Sequence, residues 1–348
     1  MLNKYAFIDR DGVLIFEPED TKQIDSLNKL KILDGVIPVL KQLIVDDYKL
    51  IMVSNQDGLG TTSFPRTNFD IVQDKLLDNL KKKGIKFYRI FICPHLPSNN
   101  CSCRKPETGL IKEFLLVKPM DKARSFMIGD RDSDKQFAKN LGIKFYQTNT
   151  NSSFPRLAEL ERNTNETKIF TQLNLDGIGN YNIDTGIKFF DHMLEQIAKN
   201  SLIDIDIKCT GDLSVDEHHT VEDVGLALGA TINKALTNKK GINRYGFLLP
   251  MDEALAEVAI DLSGRPFLVW NAKFKREKIG DIPTELFEDF FRALSNNLQA
   301  NIHINIRYGR NEHHMAEAIF KAIGRTLRQA IENDPRQKNL ITSTKGIL

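Results

Sequence analysis

The chain has 348 residues, enough for about two domains of ordinary size. Hydrophobic residues make up 41% and charged residues 27%, and 48 basic against 46 acidic side chains leave a formal charge of +2. Such a chain buries a core in water, has no apolar run long enough to span a bilayer, and gives no reason to expect nucleic acid or an anionic membrane as partner. The opening Met1-Leu2-Asn3-Lys4-Tyr5 is not read as a signal peptide, because the apolar stretch ends at Asp9. The expectation is a cytoplasmic protein whose thiols stay reduced.

Tyr5-Ala6-Phe7-Ile8 is a short apolar run ended by Asp9-Arg10-Asp11-Gly12, which predicts a buried strand entering a loop with two carboxylates. Lys49 to Val53 is a second strand, ended by Ser54-Asn55-Gln56. Phe87 to Ile92 is a third, and Ser125 to Ile128 a fourth, ended by Gly129-Asp130. Between them Phe69, Val72, Leu76 and Leu80 keep helical spacing, with Gly84 as the cap. Alternating strands and helices predict a doubly wound α/β domain, whose ligands sit at the carboxyl ends of the strands.

Those polar strand ends fit one chemistry. A carboxylate nucleophile, Asp9, takes a phosphoryl group, and a second carboxylate two residues on, Asp11, protonates the leaving oxygen and then activates water. Mg²⁺ favours oxygen ligands, here Asp9, Asp130 and the backbone carbonyl of Asp11, while Ser54 and Lys105 steady the phosphate oxygens. Asp9-x-Asp11-Gly12-Val13, Ser54, Lys105 and Gly129-Asp130 resemble, in order, the four motifs of the haloacid-dehalogenase-type phosphatases.

Cys93, His95, Cys101 and Cys103 form a closed set of three thiolates and one imidazole, suited to a structural tetrahedral Zn²⁺ that holds the loop leading into Lys105. The run Cys-Pro-His-x-Pro…Cys-x-Cys-Arg-Lys-Pro resembles the small zinc-containing histidinol-phosphate and heptose-bisphosphate phosphatases, over about residues 1–150. Asn99 stands where many of those relatives carry Asp, a departure that leaves the ligands untouched.

Gln147-Thr148-Asn149-Thr150-Asn151-Ser152-Ser153 has turn composition, and strand signals resume near Lys168. The reading divides the chain into domains 1–160 and 161–348, with Leu157 to Glu161 as a short helical connector. The second half repeats itself. Ile203 to Ile207 and Ile302 to Ile306 alternate as half-buried strands; each follows an amphipathic helix, around 187–200 and 284–299. Each also precedes a His-His-x-x-Glu helix: His218, His219 and Glu222 in one, His313, His314 and Glu317 in the other. The expected fold is α+β in two similar halves. Cys209 reads as a buried structural thiol.

Adjacent histidines point about 100° apart on a helix, so one ion cannot easily take both of a pair. Two pairs and two glutamates therefore suggest more than one ion. His192 and His303 complete the set, and three histidines with one glutamate per ion suit Mn²⁺, Fe²⁺ or Zn²⁺. The geometry also predicts ligands drawn from more than one copy of the chain.

Phe-Asp-His-Met-Leu, Asp-x-His-His-Thr-Val-Glu-Asp, Asp-Leu-Ser-Gly-Arg-Pro (261–266), Glu-His-His-x-x-Glu-Ala and Ser-Thr-Lys-Gly (343–346) resemble imidazoleglycerol-phosphate dehydratase from about Glu166 onward. The resemblance implies two Mn²⁺ ions per site, an assembly of 24 chains, and loss of water from imidazole glycerol phosphate. The proton removed is not acidic, so the substrate imidazole has to be metal-bound and made electron-accepting. The resemblance assigns Glu166 as acid/base and Gln196, Arg244, Arg265, Ser343 and Lys345 to substrate. Both resemblances meet in the bifunctional enzymes of histidine biosynthesis, whose ligands are small phosphorylated imidazoles. Two rival readings stand beside this: a heptose-bisphosphate-type phosphatase at the N-terminus, and a C-terminal half that is a non-catalytic metal-binding scaffold. Arg244, Arg265, Ser343 and Lys345 speak against the scaffold, which needs no phosphate groups.

Overall fold

The computed structural model describes residues 2–148, 154–246, 249–337, 340–345 and 348. Asn149 to Ser153 of the polar boundary cluster and Gly346 of the last motif lie outside them. The chain divides into two compact units, Met1–Pro155 and Arg156–Leu348. Among the described residues no helix is long and apolar enough to cross a membrane.

The first unit alternates strand and helix: β1 (Tyr5–Ile8), α1 (Val36–Val45), β2 (Lys49–Asn55), α2 (Arg66–Lys81), β3 (Arg89–Cys93), α3 (Gly109–Val117), β4 (Phe126–Gly129), α4 (Asp132–Leu141) and β5 (Lys144–Gln147). The strands form one parallel sheet in the order β3-β2-β1-β4-β5. Every residue of β1 and β4 is buried, as expected of central strands covered on both faces. Phe69, Val72, Leu76 and Leu80 form the buried stripe of α2, as their spacing predicts. Beyond Lys81 the chain reverses at Gly84, whose φ of 81° suits glycine, and the Ile85 N–H donates to the Leu80 carbonyl. The third strand begins at Arg89, two residues later than its apolar run suggests. Strand order reverses at β1, between β2 and β4, and the crevice there receives the carboxyl ends of all three.

The second unit contains the same plan twice. The first half runs β6 (Leu157–Asn163), β7 (Thr167–Asn174), β8 (Tyr181–Asp184), α5 (Lys188–Ser201), β9 (Asp204–Gly211) and α6 (His218–Leu236). The second runs β10 (Tyr245–Gly246), β11 (Leu249–Met251), β12 (Ala254–Asp261), β13 (Phe267–Asn271), a small hairpin of β14 (Lys278–Ile279) and β15 (Ile282–Pro283), α7 (Leu286–Leu298), β16 (Asn301–Tyr308) and α8 (Glu312–Ile331). In one sheet β9 pairs antiparallel with β7 and parallel with β8; in the other β16 pairs antiparallel with β12 and parallel with β13. Ile205 faces Leu173 as Ile302 faces Ile260. The expected helical connector at Leu157–Glu161 is corrected: these residues are β6, with Leu160 opposite Thr171, and the unit therefore begins at Arg156. Leu-Ala-Glu-Leu-Glu has ample helix propensity, but pairing along β7 outweighs a preference worth a few tenths of a kcal/mol per residue.

The halves interlock through their helices, α6 on α7 and α5 on α8, and one buried apolar cluster runs through both. Two glycines permit the approach. A Cβ at Gly229 would stand 2.6 Å from the Leu294 carbonyl oxygen, and one at Gly324 would stand 2.8 Å from the Ile197 carbonyl oxygen. Each glycine lies eleven residues after the first histidine of its helix, so the same crossing recurs in both halves.

Candidate active sites

At the crevice of the first unit, Asp9 follows β1, Ser54 lies near the end of β2, and Asp130 follows β4; all three are buried or nearly so. Oxygens of Asp9, Asp130 and Asp134 lie within 4.8 Å of one another. Asp134 is missing from the sequence reading, although it stands one helical turn beyond Asp130 in the first turn of α4. Lys105, 1% exposed, reaches in from the loop before α3: its Nζ lies 3.0 Å from Asp9 Oδ1 and 2.6 Å from Asp134 Oδ1, and donates to the Val53 carbonyl at 2.8 Å. Burial opposes the Lys105 charge, but Asp134 and Asp9 outweigh it and hold the ammonium above its ordinary pKa. Burial, reinforced by Asp9, raises Asp130 to about 6, and burial likewise raises Asp134 to about 6. Crowded buried carboxylates that resist ionisation in this way are the donor set expected of a hard cation. Gly12, with φ of 72°, lets the Asp11 loop approach: a Cβ there would stand 2.6 Å from Asp130 Oδ2.

The Asp11 side chain points to other partners. Arg10 Nη1 lies 2.5 Å from its Oδ1, and Gln56 Nε2 donates to its Oδ2 at 2.6 Å. Burial raises its pKa above the usual carboxylate range, which suits a proton donor. The same Gln56 nitrogen donates to Ser54 Oγ at 2.9 Å. Asp11 thus contributes no carboxylate to the Asp9, Asp130, Asp134 group.

Cys93 ends β3, and His95, Cys101 and Cys103 follow in the loop, where all four donor atoms converge. Sulfur–sulfur distances are 3.3 to 3.7 Å, and His95 Nδ1 lies 3.1 Å from Cys103 Sγ. Tetrahedral zinc with bonds of about 2.3 Å needs sulfurs somewhat under 4 Å apart, so the donor set fits that ion. Without a metal, burial pushes the Cys93 thiol up to about 12. The loop is tied to the crevice at both ends: the Gln56 N–H donates to the Cys93 carbonyl at 2.8 Å, and the Asn55 side-chain amide bonds the Lys105 N–H and carbonyl at 3.0 and 3.1 Å.

In the second unit the two His-His-x-x-Glu motifs open α6 and α8, as expected. His218 Nε2 lies 3.6 Å from Glu222, and His313 Nε2 lies 3.9 Å from Glu317. The second histidine of each pair meets a carboxylate that sequence reasoning missed. His219 Nδ1 lies 3.1 Å from Asp212, and His314 Nδ1 lies 2.8 Å from Glu253; each contact raises the imidazole pKa. Glu166 stands 3.7 Å from His219 Nε2. It immediately precedes β7 as Glu253 immediately precedes β12, so the two glutamates occupy matching places in the two halves. The His192 and His313 rings are 6.4 Å apart, and His303 is exposed on β16 between Ala259 and Val269. Among the described residues, a single chain brings no three of these histidine and carboxylate donors within 4.8 Å of one another. The donor types suit a borderline divalent ion, and the chain by itself presents them as separate pairs.

Arg244, Arg265, Ser343 and Lys345 do meet, lining a cavity of about 410 Å³ with Ser263. Arg244 takes a φ of 75°, and its guanidinium is held by both oxygens of Asp261 and by the Thr342 carbonyl. Gln196 lies apart from this cavity, on α5, one turn beyond His192.

With both sites laid out, two family models match the chain, one within each compact unit. Residues 4–151 match the family Polynucleotide kinase 3 phosphatase, and residues 185–327 match Imidazoleglycerol-phosphate dehydratase. The Histidine biosynthesis bifunctional protein HisB of Actinobacillus pleuropneumoniae is 49% identical over 100% of both chains. Its counterpart in Legionella pneumophila is 48% identical, again over 100% of both. The chain belongs to this family. It is a bifunctional enzyme of histidine biosynthesis, with a phosphatase domain of the haloacid-dehalogenase type and a dehydratase domain. The solved imidazoleglycerol-phosphate dehydratase of Staphylococcus aureus is 37% identical, covers 51% of this chain and 99% of its own, and superposes with a TM-score of 0.47.

Proposed function

We propose that the phosphatase domain hydrolyses L-histidinol phosphate to L-histidinol and phosphate. The observation that carries this is the convergence of Asp9, Asp11, Ser54 and Lys105 on one buried crevice within a chain of the histidine-biosynthesis family. An Asp9 oxygen attacks phosphorus, the bond to the leaving oxygen breaks, and that oxygen takes the Asp11 proton. Asp11, now ionised, deprotonates a water that attacks the aspartyl phosphate, freeing phosphate and Asp9. Lys105 and Ser54 steady the charge on the phosphoryl oxygens. Asp9, Asp130, Asp134 and the Asp11 carbonyl would hold Mg²⁺, which neutralises phosphate charge when bound. Cys93, His95, Cys101 and Cys103 would hold a structural Zn²⁺.

The dehydratase domain converts imidazole glycerol phosphate to imidazole acetol phosphate in this reading. Arg244, Arg265, Ser343 and Lys345 grip the phosphate, and Gln196 contacts the substrate from α5. Glu166 takes the proton from the second carbon out from the imidazole; the hydroxyl on the carbon that bears the ring leaves with a proton as water, and the resulting enol becomes the ketone. His192, His218, His219, Glu222, His303, His313, His314 and Glu317 would hold two Mn²⁺ ions, which draw electrons from the imidazole when bound. The separated donor pairs support sites completed by neighbouring copies. An assembly of 24 chains in the cytoplasm belongs to the same proposal.

The test is phosphate release from histidinol phosphate and from a heptose bisphosphate, beside dehydration of imidazole glycerol phosphate, on one preparation. Preference for histidinol phosphate supports the reading. Preference for the heptose bisphosphate replaces the first half of it.

A further inference from the structure

We propose that Gln56 is a positioning residue of the phosphatase site, fixing the acid Asp11 and the phosphate-steadying Ser54 in one geometry. This rests on the reading of Asp11 as the proton donor. Gln56 is 4% exposed, and its single amide nitrogen uses both hydrogens inside the crevice, one on Asp11 Oδ2 at 2.6 Å and one on Ser54 Oγ at 2.9 Å. An amide nitrogen has two hydrogens in a fixed plane, so these two bonds set the angle between their acceptors.

The consequences differ at the two ends. At Ser54 the donated hydrogen occupies a lone pair, so the hydroxyl hydrogen turns away from Gln56 and is available to a phosphoryl oxygen. At Asp11, Gln56 holds one oxygen while Arg10 holds the other at 2.5 Å, and each oxygen keeps a second lone-pair site for the proton it transfers. Arg10 is itself anchored: it is fully buried, its Nε donates to Gln73 Oε1 at 2.9 Å, and its guanidinium lies 4.9 Å from the Phe69 ring centroid. Carboxyl and hydroxyl are thus placed before substrate arrives, which is the arrangement that makes proton transfer effective.

The Gln56 backbone is fixed as well. Its N–H donates to the Cys93 carbonyl at 2.8 Å, and its carbonyl accepts from Leu59 N–H at 3.1 Å. Cys93 is the first residue of the thiol cluster, so the loop that carries Lys105 and the amide that orients Asp11 share one anchor. The cluster thereby reaches the acid and the phosphate-binding lysine by separate routes.

The test compares leaving groups. Phosphoryl transfer from an alkyl phosphate needs a proton on the departing oxygen, whereas p-nitrophenolate departs without one. Gln56→Met removes both donors at nearly constant volume, and kcat/KM is measured in the full-length protein with histidinol phosphate and with p-nitrophenyl phosphate. This ratio reports steps up to formation of the aspartyl phosphate, and partial unfolding lowers both rates alike without changing it. Asp11→Asn is run beside it. The expected result is a loss on the order of 10- to 100-fold with histidinol phosphate and only a few-fold with p-nitrophenyl phosphate, in the same sense as Asp11→Asn. If Asp11→Asn discriminates between the substrates and Gln56→Met does not, the positioning role is overturned while the acid stands. If Asp11→Asn itself fails to discriminate, the acid assignment falls, and the role of Gln56 with it.

Discussion

Replacing Gly229 or Gly324 with alanine sets two opposed effects against each other. Alanine favours a helix over glycine by up to about 1 kcal/mol, so an exposed site would gain stability. These sites are helix crossings. A Cβ at Gly229 would lie 2.6 Å from the Leu294 oxygen and 2.9 Å from the Leu298 nitrogen, both backbone atoms that cannot rotate away. At Gly324 it would meet Asn200 Cβ and the Ile197 oxygen, each at 2.8 Å. Ordinary contact begins at 3.4 Å, so α6 must move from α7, or α8 from α5, by about 0.6 to 0.8 Å. Overpacking of this kind costs about 1–3 kcal/mol, which exceeds the propensity gain at most of its range. With about 1 kcal/mol worth 2–4 °C in a unit of this size, the metal-free protein should melt several degrees lower for either substitution. Because α6 opens with His218 and His219, Gly229→Ala should also weaken Mn²⁺ binding. A raised melting temperature for either variant would refute the claim that glycine is there for the crossing.

Cys101→Ser should lower the zinc content from one ion per chain and loosen the loop carrying Lys105; a displacement near 1 Å costs roughly 10²-fold in rate, so phosphatase activity should fall by that order while dehydration persists. A disulfide among Cys93, Cys101 and Cys103 in the reduced protein would contradict the metal site. Stripping metal with a chelator should lower the mass of the assembly, and Mn²⁺ should restore mass and dehydration together; a monomer that keeps two tightly bound Mn²⁺ ions and full activity would refute the shared sites. Asp134→Asn, which removes a charge from the carboxylate group while leaving its shape, should weaken Mg²⁺ activation of the phosphatase, and an unchanged Mg²⁺ dependence would exclude Asp134 as a ligand.

What the sequence disclosed follows from where its signals are local. Asp9, Ser54 and Asp130 were legible because buried parallel strands read as apolar runs and the polar residue ending each run marks the ligand edge. The two histidine pairs were legible because a helix start repeated in one domain is hard to read as accident. Asp134 was within reach, since it lies one turn past Asp130. From the sequence Gln56 reads only as a strand-ending residue, because its role depends on Asp11 arriving from the neighbouring strand β1 to meet the Ser54 side of β2. Asp212 and Glu253 carry no local signature and matter through contacts with His219 and His314, while Asp261 opens a quoted motif but its grip on Arg244 depends on the pairing of β12. The duplicated fold was visible in two strands and four helices, while the pairing that proves it, and that makes a strand of Leu157–Asn163, is long-range.

The central claim is that one chain supplies residues to two active sites that share none, the phosphatase residues in one compact unit and the dehydratase residues in the other. Asp9→Asn keeps the shape of the phosphatase crevice and removes its nucleophile. Phosphate release from histidinol phosphate and dehydration of imidazole glycerol phosphate are then measured on the same folded, assembled variant. The account predicts that phosphate release disappears and that dehydration stays close to its original rate. Loss of both activities in that protein would contradict it.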